Sequence, residues 1–75
     1  MKTYTQANPL SGLSAREREV LKLVVKGRTS KEIAIRIDVK PASVDTYRSR
    51  IMAKLKIHDV ASLVRFAIRK GLIRP

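Results

Sequence analysis

The sequence predicts an all-α domain of four helices, and three observations favour this fold class. Apolar residues recur at intervals of three and four along four segments, no segment alternates like a strand, and capping or breaking residues separate the segments. A chain of 75 residues forms one domain with a small core. We assign residues 13–75 to this domain. We assign residues 1–12, which lack periodicity and include Pro9 and Gly12, to a flexible tail or interdomain linker.

The first two helices each open with a capping box, in which a hydroxyl residue and a glutamate three positions later bond each other's backbone N–H groups. Ser14 and Glu17 begin the first helix, and Gly27 ends it. Thr29 and Glu32 begin a short second helix two residues later. The residues at helical spacing that should face the core are Val20, Leu21 and Val24 in the first helix and Ile33, Ala34 and Ile37 in the second.

The third helix is predicted to run from about Pro41 to Leu55. Proline suits the first turn of a helix, and it forces the preceding Lys40 into an extended conformation. Two short helices joined by a short turn make a helix-turn-helix. The inward face of the third helix is predicted to carry Val44, Tyr47, Ile51 and Leu55. Its opposite face carries Ala42, Asp45, Thr46, Ser49, Arg50 and Ala53.

The charge balance indicates a polyanionic partner. The chain has 17 Lys and Arg against 6 Asp and Glu, a net charge of +11, and nucleic acid is the commonest such partner. Most side chains on the outer face of the third helix are short, and Arg48, Arg50 and Lys54 flank it. This layout is typical of a helix that enters the major groove of DNA. Asp45 argues against placing this helix in the groove, because phosphates repel a carboxylate. It would fit there if its carboxylate accepts a hydrogen bond from a cytosine amino group or rejects other bases.

The fourth helix is predicted to begin at the Asp59 cap, to run to about Lys70 and to end at Gly71. Its apolar residues cover an arc of about 220°, which is more than one core-facing stripe needs. The residues that should face the core are Val60, Leu63, Val64, Ala67 and Ile68, and Phe66 and Ala61 lie beyond the two edges of that stripe. Part of this arc should be exposed, and the simplest partner is a second copy of the chain.

We expect Leu63, Phe66 and Ala67 at this dimer interface. The alternative is that Phe66 packs within the domain, on Tyr4 or on the C-terminal residues Leu72 and Ile73.

Several blocks of the sequence resemble the LuxR/FixJ-type (NarL/GerE-like) helix-turn-helix domain of bacterial transcriptional regulators. The blocks are Leu13–Leu21, Gly27, Lys31–Ala34, Ser43-Val44, Ile51–Leu55, Ala67 and Gly71–Ile73. The resemblance implies a four-helix fold in which the third helix reads the major groove and the fourth mediates dimerisation on DNA. It also implies a regulator, most often the output domain of a two-component response regulator that has a receiver domain upstream.

Position by position, the resemblance implies base contacts from Asp45, Thr46 and Ser49. The phosphate contacts that it implies come from Ser30, Lys31, Ser43, Arg48, Arg50 and Lys54. Lys40 stands where the family usually has a capping Ser, so that cap is lost and the lysine is expected to contact phosphate instead. Tyr47 replaces the commonest His and keeps its inward-facing bulk. Asp45 and Ser49 stand where many members carry basic residues, which should change the preferred DNA sequence.

Other classes fit the sequence less well. His58 has no nucleophile or ligand partner, and neither a glycine-rich phosphate loop nor a carboxylate pair stands out, so we expect no enzyme, cofactor or metal. The absence of Cys excludes disulfides and fits a cytoplasmic location. No apolar run reaches the roughly 18 residues of a membrane span, and no small-molecule ligand is expected.

Two alternatives to a DNA-binding regulator stay open. One is a module like region four of sigma factors, which contacts RNA polymerase, and the other is a protein-interaction domain with a basic surface. RNA is less favoured, because few aromatic residues are available to stack on bases. RNA polymerase is an additional candidate partner of a regulator. We favour a fragment of a larger protein over a stand-alone regulator, because residues 6–12 resemble an interdomain linker.

Overall fold

A computed structural model describes residues 9–73 and confirms the all-α fold class. Within these residues there is no strand, and no helix has both the length and the apolar character to cross a bilayer. The four predicted α-helices follow a short 3-10 helix. The elements are the 3-10 helix Pro9–Gly12, α1 Ala15–Val25, α2 Ser30–Ile37, α3 Pro41–Leu55 and α4 Val60–Arg69.

Local capping explains where the helices begin. Both predicted capping boxes are present: Ser14 and Glu17 bond each other's backbone at 2.8 and 3.1 Å, and Thr29 and Glu32 do so at 2.9 and 3.1 Å. The backbone N–H of Thr29 stabilises the carboxylate of Glu32 and lowers its pKa. Lys40 is extended and gives α3 no side-chain cap, as predicted. These starts are encoded within a few residues of each helix.

The turn between α2 and α3 contains no glycine, although such turns often use one. Asp38 instead adopts the left-handed conformation, with φ 59° and ψ 53°, and its N–H bonds the carbonyl of Ala34. Aspartate is among the few residues that tolerate this region, because its short polar side chain bonds locally. Lys56, after α3, has a similar conformation at φ 57°.

The core lies where α1 meets α2, α3 and α4. The largest fully buried side chains are Val20, Leu21, Ile33, Val44 and Ile51. All of them belong to the stripes predicted for the first three helices. Helix α1 is buried over more of its circumference than the predicted stripe, because Leu23 and Val25 are buried as well.

Part of the segment that the sequence assigns to a tail or linker packs against the domain. Pro9–Gly12 form the 3-10 helix, Leu10 packs against the core, and the Leu13 N–H bonds the Leu10 carbonyl at 3.1 Å. Pro9 and Gly12 in a polar stretch indicate a linker, but the apolar Leu10 between them anchors the segment to the core. Residues 1–8, including Tyr4, lie outside the described residues.

Helix α4 buries one end of its apolar arc: Leu63 and Ala67 face the core as predicted, and Phe66 is buried beside them, whereas Val60 is exposed. Leu63, Phe66 and Ala67, which we expect at a dimer interface from the sequence, are 2%, 6% and 0% exposed within the domain, so this end of the arc offers a second copy little accessible surface. They span about 100° at one end of the arc. The other end stays accessible: Val60 and Ala61 are exposed, and Val64 and Ile68 are half-buried. The width of the arc was predictable, whereas its buried end depends on where α1 lies.

Candidate nucleic-acid interface

The outer face of α3 is accessible over its whole length, as the sequence predicts. All six residues of that face are exposed, while Val44 and Ile51 on the opposite side are buried and Tyr47 and Leu55 pack partly against the core. The exposed residues are Ala42, Asp45, Thr46, Ser49, Arg50 and Ala53. A helix with short exposed side chains lets another surface approach its backbone closely, as a major groove requires.

Three of the predicted contact residues are bonded to one another at the junction of α2 and α3. The Ser30 hydroxyl donates to the Asp45 carboxylate at 2.8 Å and accepts from the Arg48 guanidinium at 3.4 Å. We call Ser30, Asp45 and Arg48 the exposed trio after Asp45, which is exposed, while Ser30 and Arg48 are half-buried. The trio explains how an acid is kept on a basic surface, because Asp45 has a donor within the domain. Thr46 is also partly satisfied, since its hydroxyl donates to the Ala42 carbonyl at 3.1 Å.

A shallow depression of about 190 Å³ lies on the same side of α3. It is lined by the hydroxyl residues Ser43, Thr46 and Tyr47 and by the guanidinium of Arg50. The Thr46 hydroxyl already donates to the Ala42 carbonyl, whereas the hydroxyls of Ser43 and Tyr47 and the guanidinium of Arg50 are donor types that suit a phosphate. The sequence predicts Tyr47 only as inward-facing bulk, although it lies four positions after Ser43 and three before Arg50, which places these residues on adjoining helix turns.

The remaining predicted phosphate ligands differ in their surroundings. Lys31, in the first turn of α2, and Lys40, just before α3, are exposed. Lys54 differs, because its ammonium lies 2.7 Å from the Glu17 carboxylate of α1. It is therefore an intramolecular ion-pair partner first, and any contact with phosphate would use its remaining N–H donors.

Glu17 is the buried end of this ion pair. It is 3% exposed, and the same carboxylate oxygen accepts from the Ser14 backbone N–H and from Lys54. The hydrogen bond from Lys54, then that from the Ser14 backbone, holds the pKa of Glu17 below its ordinary value near 4.5. Sequence analysis identified Glu17 as a cap but missed its second partner, which lies 37 positions away.

These features define the chain as a helix-turn-helix domain whose third helix presents an accessible polar face. A comparison with known families agrees, since residues 11–67 match the model of the luxR family of bacterial regulatory proteins. The chain therefore belongs to the luxR family of bacterial regulatory proteins. Members of this family are DNA-binding domains of transcription regulators and are typically non-enzymatic.

Individual relatives are similar over most of this chain. It is 44% identical over 62 residues to the transcriptional regulatory protein FixJ of Rhizobium meliloti, covering 83% of the chain and 30% of that protein. It is 37% identical over 65 residues to the response regulator UvrY of Escherichia coli K12, covering 87% of the chain and 30% of that protein. The structure of full-length FixJ from B. japonicum superimposes with a TM-score of 0.80 and 33% identity, over 88% of this chain and 32% of that one. The chain thus spans about a third of the length of these relatives.

Proposed function

We propose that this domain binds double-stranded DNA sequence-specifically, with α3 in the major groove, as the output domain of a two-component response regulator. The observation that carries the proposal is the accessible face of α3, with short side chains along its centre and cations beside it. The response-regulator role, and with it a cytoplasmic location, are supported by the relatives, one of which is named a response regulator.

In this proposal Asp45, Thr46 and Ser49 contact base edges, since all three are exposed polar residues on the outer face of α3. Cations and hydroxyls around them contact the two phosphate backbones and position the helix. The proposed phosphate ligands are Ser30, Lys31, Lys40, Ser43, Arg48, Arg50 and Lys54, to which we add Tyr47. The depression bounded by Ser43, Tyr47 and Arg50 is the place where we expect a single phosphate to sit.

The test is a binding-site selection from randomised duplex DNA, followed by affinity measurements at several salt concentrations. Arg50→Ala should weaken binding to every duplex and lower the slope of log K against log salt by about 1, because one phosphate contact is lost. Arg69→Ala, an exposed arginine of α4, is the matched control and should leave the slope unchanged. An unchanged slope for Arg50→Ala would remove this residue from the phosphate ligands.

Base contacts make a different prediction from phosphate contacts. Thr46→Ala and Ser49→Ala should change the selected sequence while the salt slope stays the same. A domain that recovers no motif at all, with less than about 10³-fold preference over random duplex, would instead fit a protein-interaction domain with a basic surface.

We also propose that two copies pair on DNA through α4. The interface must use the accessible end of its apolar arc, formed by Val60, Ala61, Val64 and Ile68, because the other end is buried. Ala61→Asp should abolish cooperative binding to two half-sites and leave the domain folded, since an acid suits the first turn of a helix. Phe66→Asp should unfold the domain, because that side chain is buried. Cooperative binding by Ala61→Asp would exclude this interface.

A further inference from the structure

A second basic surface lies on the outer side of α1 and α2. Two adjoining depressions of about 320 and 450 Å³ share Leu23 and Arg36 and together form a shallow groove between these helices. We call this surface the α1/α2 groove. Neither depression is lined by a residue of α3 or α4. The proposed DNA interface therefore does not include this groove.

The groove is strongly positive. Its cations are Arg18, Lys22, Lys26, Arg28 and Arg36. Its two acids have partners within the domain, since the Glu19 carboxylate accepts from Arg16 at 3.3 Å and the Glu32 carboxylate accepts from the Thr29 backbone at 2.9 Å. Arg18 and Lys22 of α1 and Lys26, the residue that caps its C-terminus, follow one another at intervals of four, which places them in a row on successive helix turns. A row of this kind is complementary to regularly spaced carboxylates or phosphates.

An exposed apolar side chain favours carboxylates over phosphates as the partner of this row of cations. Ile35, at the edge of the groove, is 78% exposed and is the most exposed large hydrophobic residue among residues 9–73. Single exposed apolar residues are common on protein surfaces, but this one borders a concave surface that Leu23 also lines. A sugar-phosphate backbone offers Ile35 only the small hydrocarbon surface of its sugars beside charged phosphates, and it covers an apolar side chain poorly. A peptide that combines carboxylates with an apolar side chain complements both parts of the groove.

We propose that the α1/α2 groove binds an acidic segment of a partner protein, with an apolar side chain of that segment packed against Ile35 and its carboxylates paired with the cations of α1. This interaction goes beyond DNA binding and does not depend on it. Because the groove and α3 have no lining residue in common, the peptide and a DNA duplex bind the domain at the same time.

The test uses the full chain and a synthetic 12-residue peptide of Glu, Asp and Ala with three Leu on one helical face. Binding is measured by fluorescence anisotropy, and NMR shifts of the Ile35 and Leu23 methyl groups report its location. Ile35→Ser should weaken binding about tenfold, the loss expected for one apolar side chain of this size. A peptide with Ser in place of Leu should bind the native domain with the same reduced affinity as the Leu peptide has for Ile35→Ser. Combining the Ser peptide with Ile35→Ser should not reduce the affinity further.

Charge is tested separately with a matched pair of substitutions. Lys22→Glu, in the groove, should reduce the affinity for the acidic peptide at least tenfold. It should leave the affinity for duplex DNA within twofold of the native value. Lys56→Glu, with the same change of charge outside the groove, should have less than a threefold effect on the peptide. Saturating duplex should leave the peptide bound, whatever sequence the duplex carries.

Four results would overturn the proposal. They are full binding by Ile35→Ser, equal weakening by Lys56→Glu and Lys22→Glu, displacement of the peptide by duplex, and the absence of methyl shifts at millimolar peptide. Loss of duplex binding in Lys22→Glu, with the peptide unaffected, would assign the groove to nucleic acid instead.

Discussion

Helix α3 is joined to its two neighbours by polar links that differ chiefly in burial. The link to α1 is the ion pair of Glu17 and Lys54, whose carboxylate end is 3% exposed. The link to α2 is the exposed trio, in which Asp45 is open to solvent. Breaking a buried polar pair leaves a group that water cannot solvate, whereas an exposed pair exchanges its partner for water at little cost. The first link should therefore govern stability, and the second should govern what α3 recognises.

The largest effect is expected from breaking the buried link. Glu17→Ala removes the acceptor of the Ser14 backbone N–H and of Lys54, and we expect a loss of about 2 kcal/mol in the free energy of unfolding. In a domain of this size, that corresponds to a fall in Tm of roughly 10 °C by calorimetry. Glu19→Ala, which breaks the exposed pair with Arg16, is the control and should cost less than about 0.5 kcal/mol. Equal losses for the two variants would contradict the comparison.

The buried link also predicts a dependence of stability on pH. Because the pKa of Glu17 is lowered in the folded domain, the unfolded chain takes up the proton first as the solution is acidified. The stabilisation is thus present above the unfolded pKa near 4.5 and is lost as pH falls through the lower folded pKa. Glu17→Gln should lose less stability than the native domain between pH 6 and pH 3 in urea unfolding. Lys54→Met should do the same, since it removes the main cause of the shift.

Substitutions in the exposed trio should change the affinity of the domain for DNA. Asp45→Asn removes a negative charge from the face proposed to meet phosphates, so we expect about threefold tighter binding to random duplex at low salt and a smaller gain at high salt. The preferred base at one position should change as well. Asp38→Asn carries the same charge change in the turn before α3 and keeps a residue type that tolerates the left-handed conformation. An equal gain from Asp38→Asn would attribute the effect to net charge alone.

The smallest effect is expected for the stability of the trio itself. In a double-mutant cycle of Ser30→Ala and Asp45→Ala, the coupling energy should be less than about 0.5 kcal/mol, because water replaces either partner. Urea unfolding of the four proteins measures it. A coupling above about 1 kcal/mol would mean that this link supports the packing of α2 on α3 as the ion pair supports that of α1.

Features that depend on a few neighbouring residues were predictable. Both capping boxes, the start of α3 at Pro41 and its two faces follow from spacing and from the chemistry of caps. Pairings between distant segments were not. Nothing near Glu17 indicates Lys54 as its partner, and Ser30 and Asp45 each looked like a separate DNA ligand.

The fourth helix shows the same limit. Its apolar arc of about 220° is evident from the sequence, but helical periodicity treats both ends alike. Only the packing of α4 in the folded domain determines that Phe66 is buried and Ala61 exposed. The roles assigned to the outer face of α3 stay predictions, since exposure is necessary for DNA contact without being sufficient.

The left-handed conformation of Lys56 leaves room for engineering. A residue with a Cβ is strained there, and aspartate or asparagine relieves the strain better than lysine does. Glycine would relieve it fully at the cost of a more flexible unfolded chain, for a net gain of about 0.5 kcal/mol. Since Lys56 follows the last residue of α3, away from the exposed trio, this substitution offers a more heat-resistant variant with the recognition surface intact.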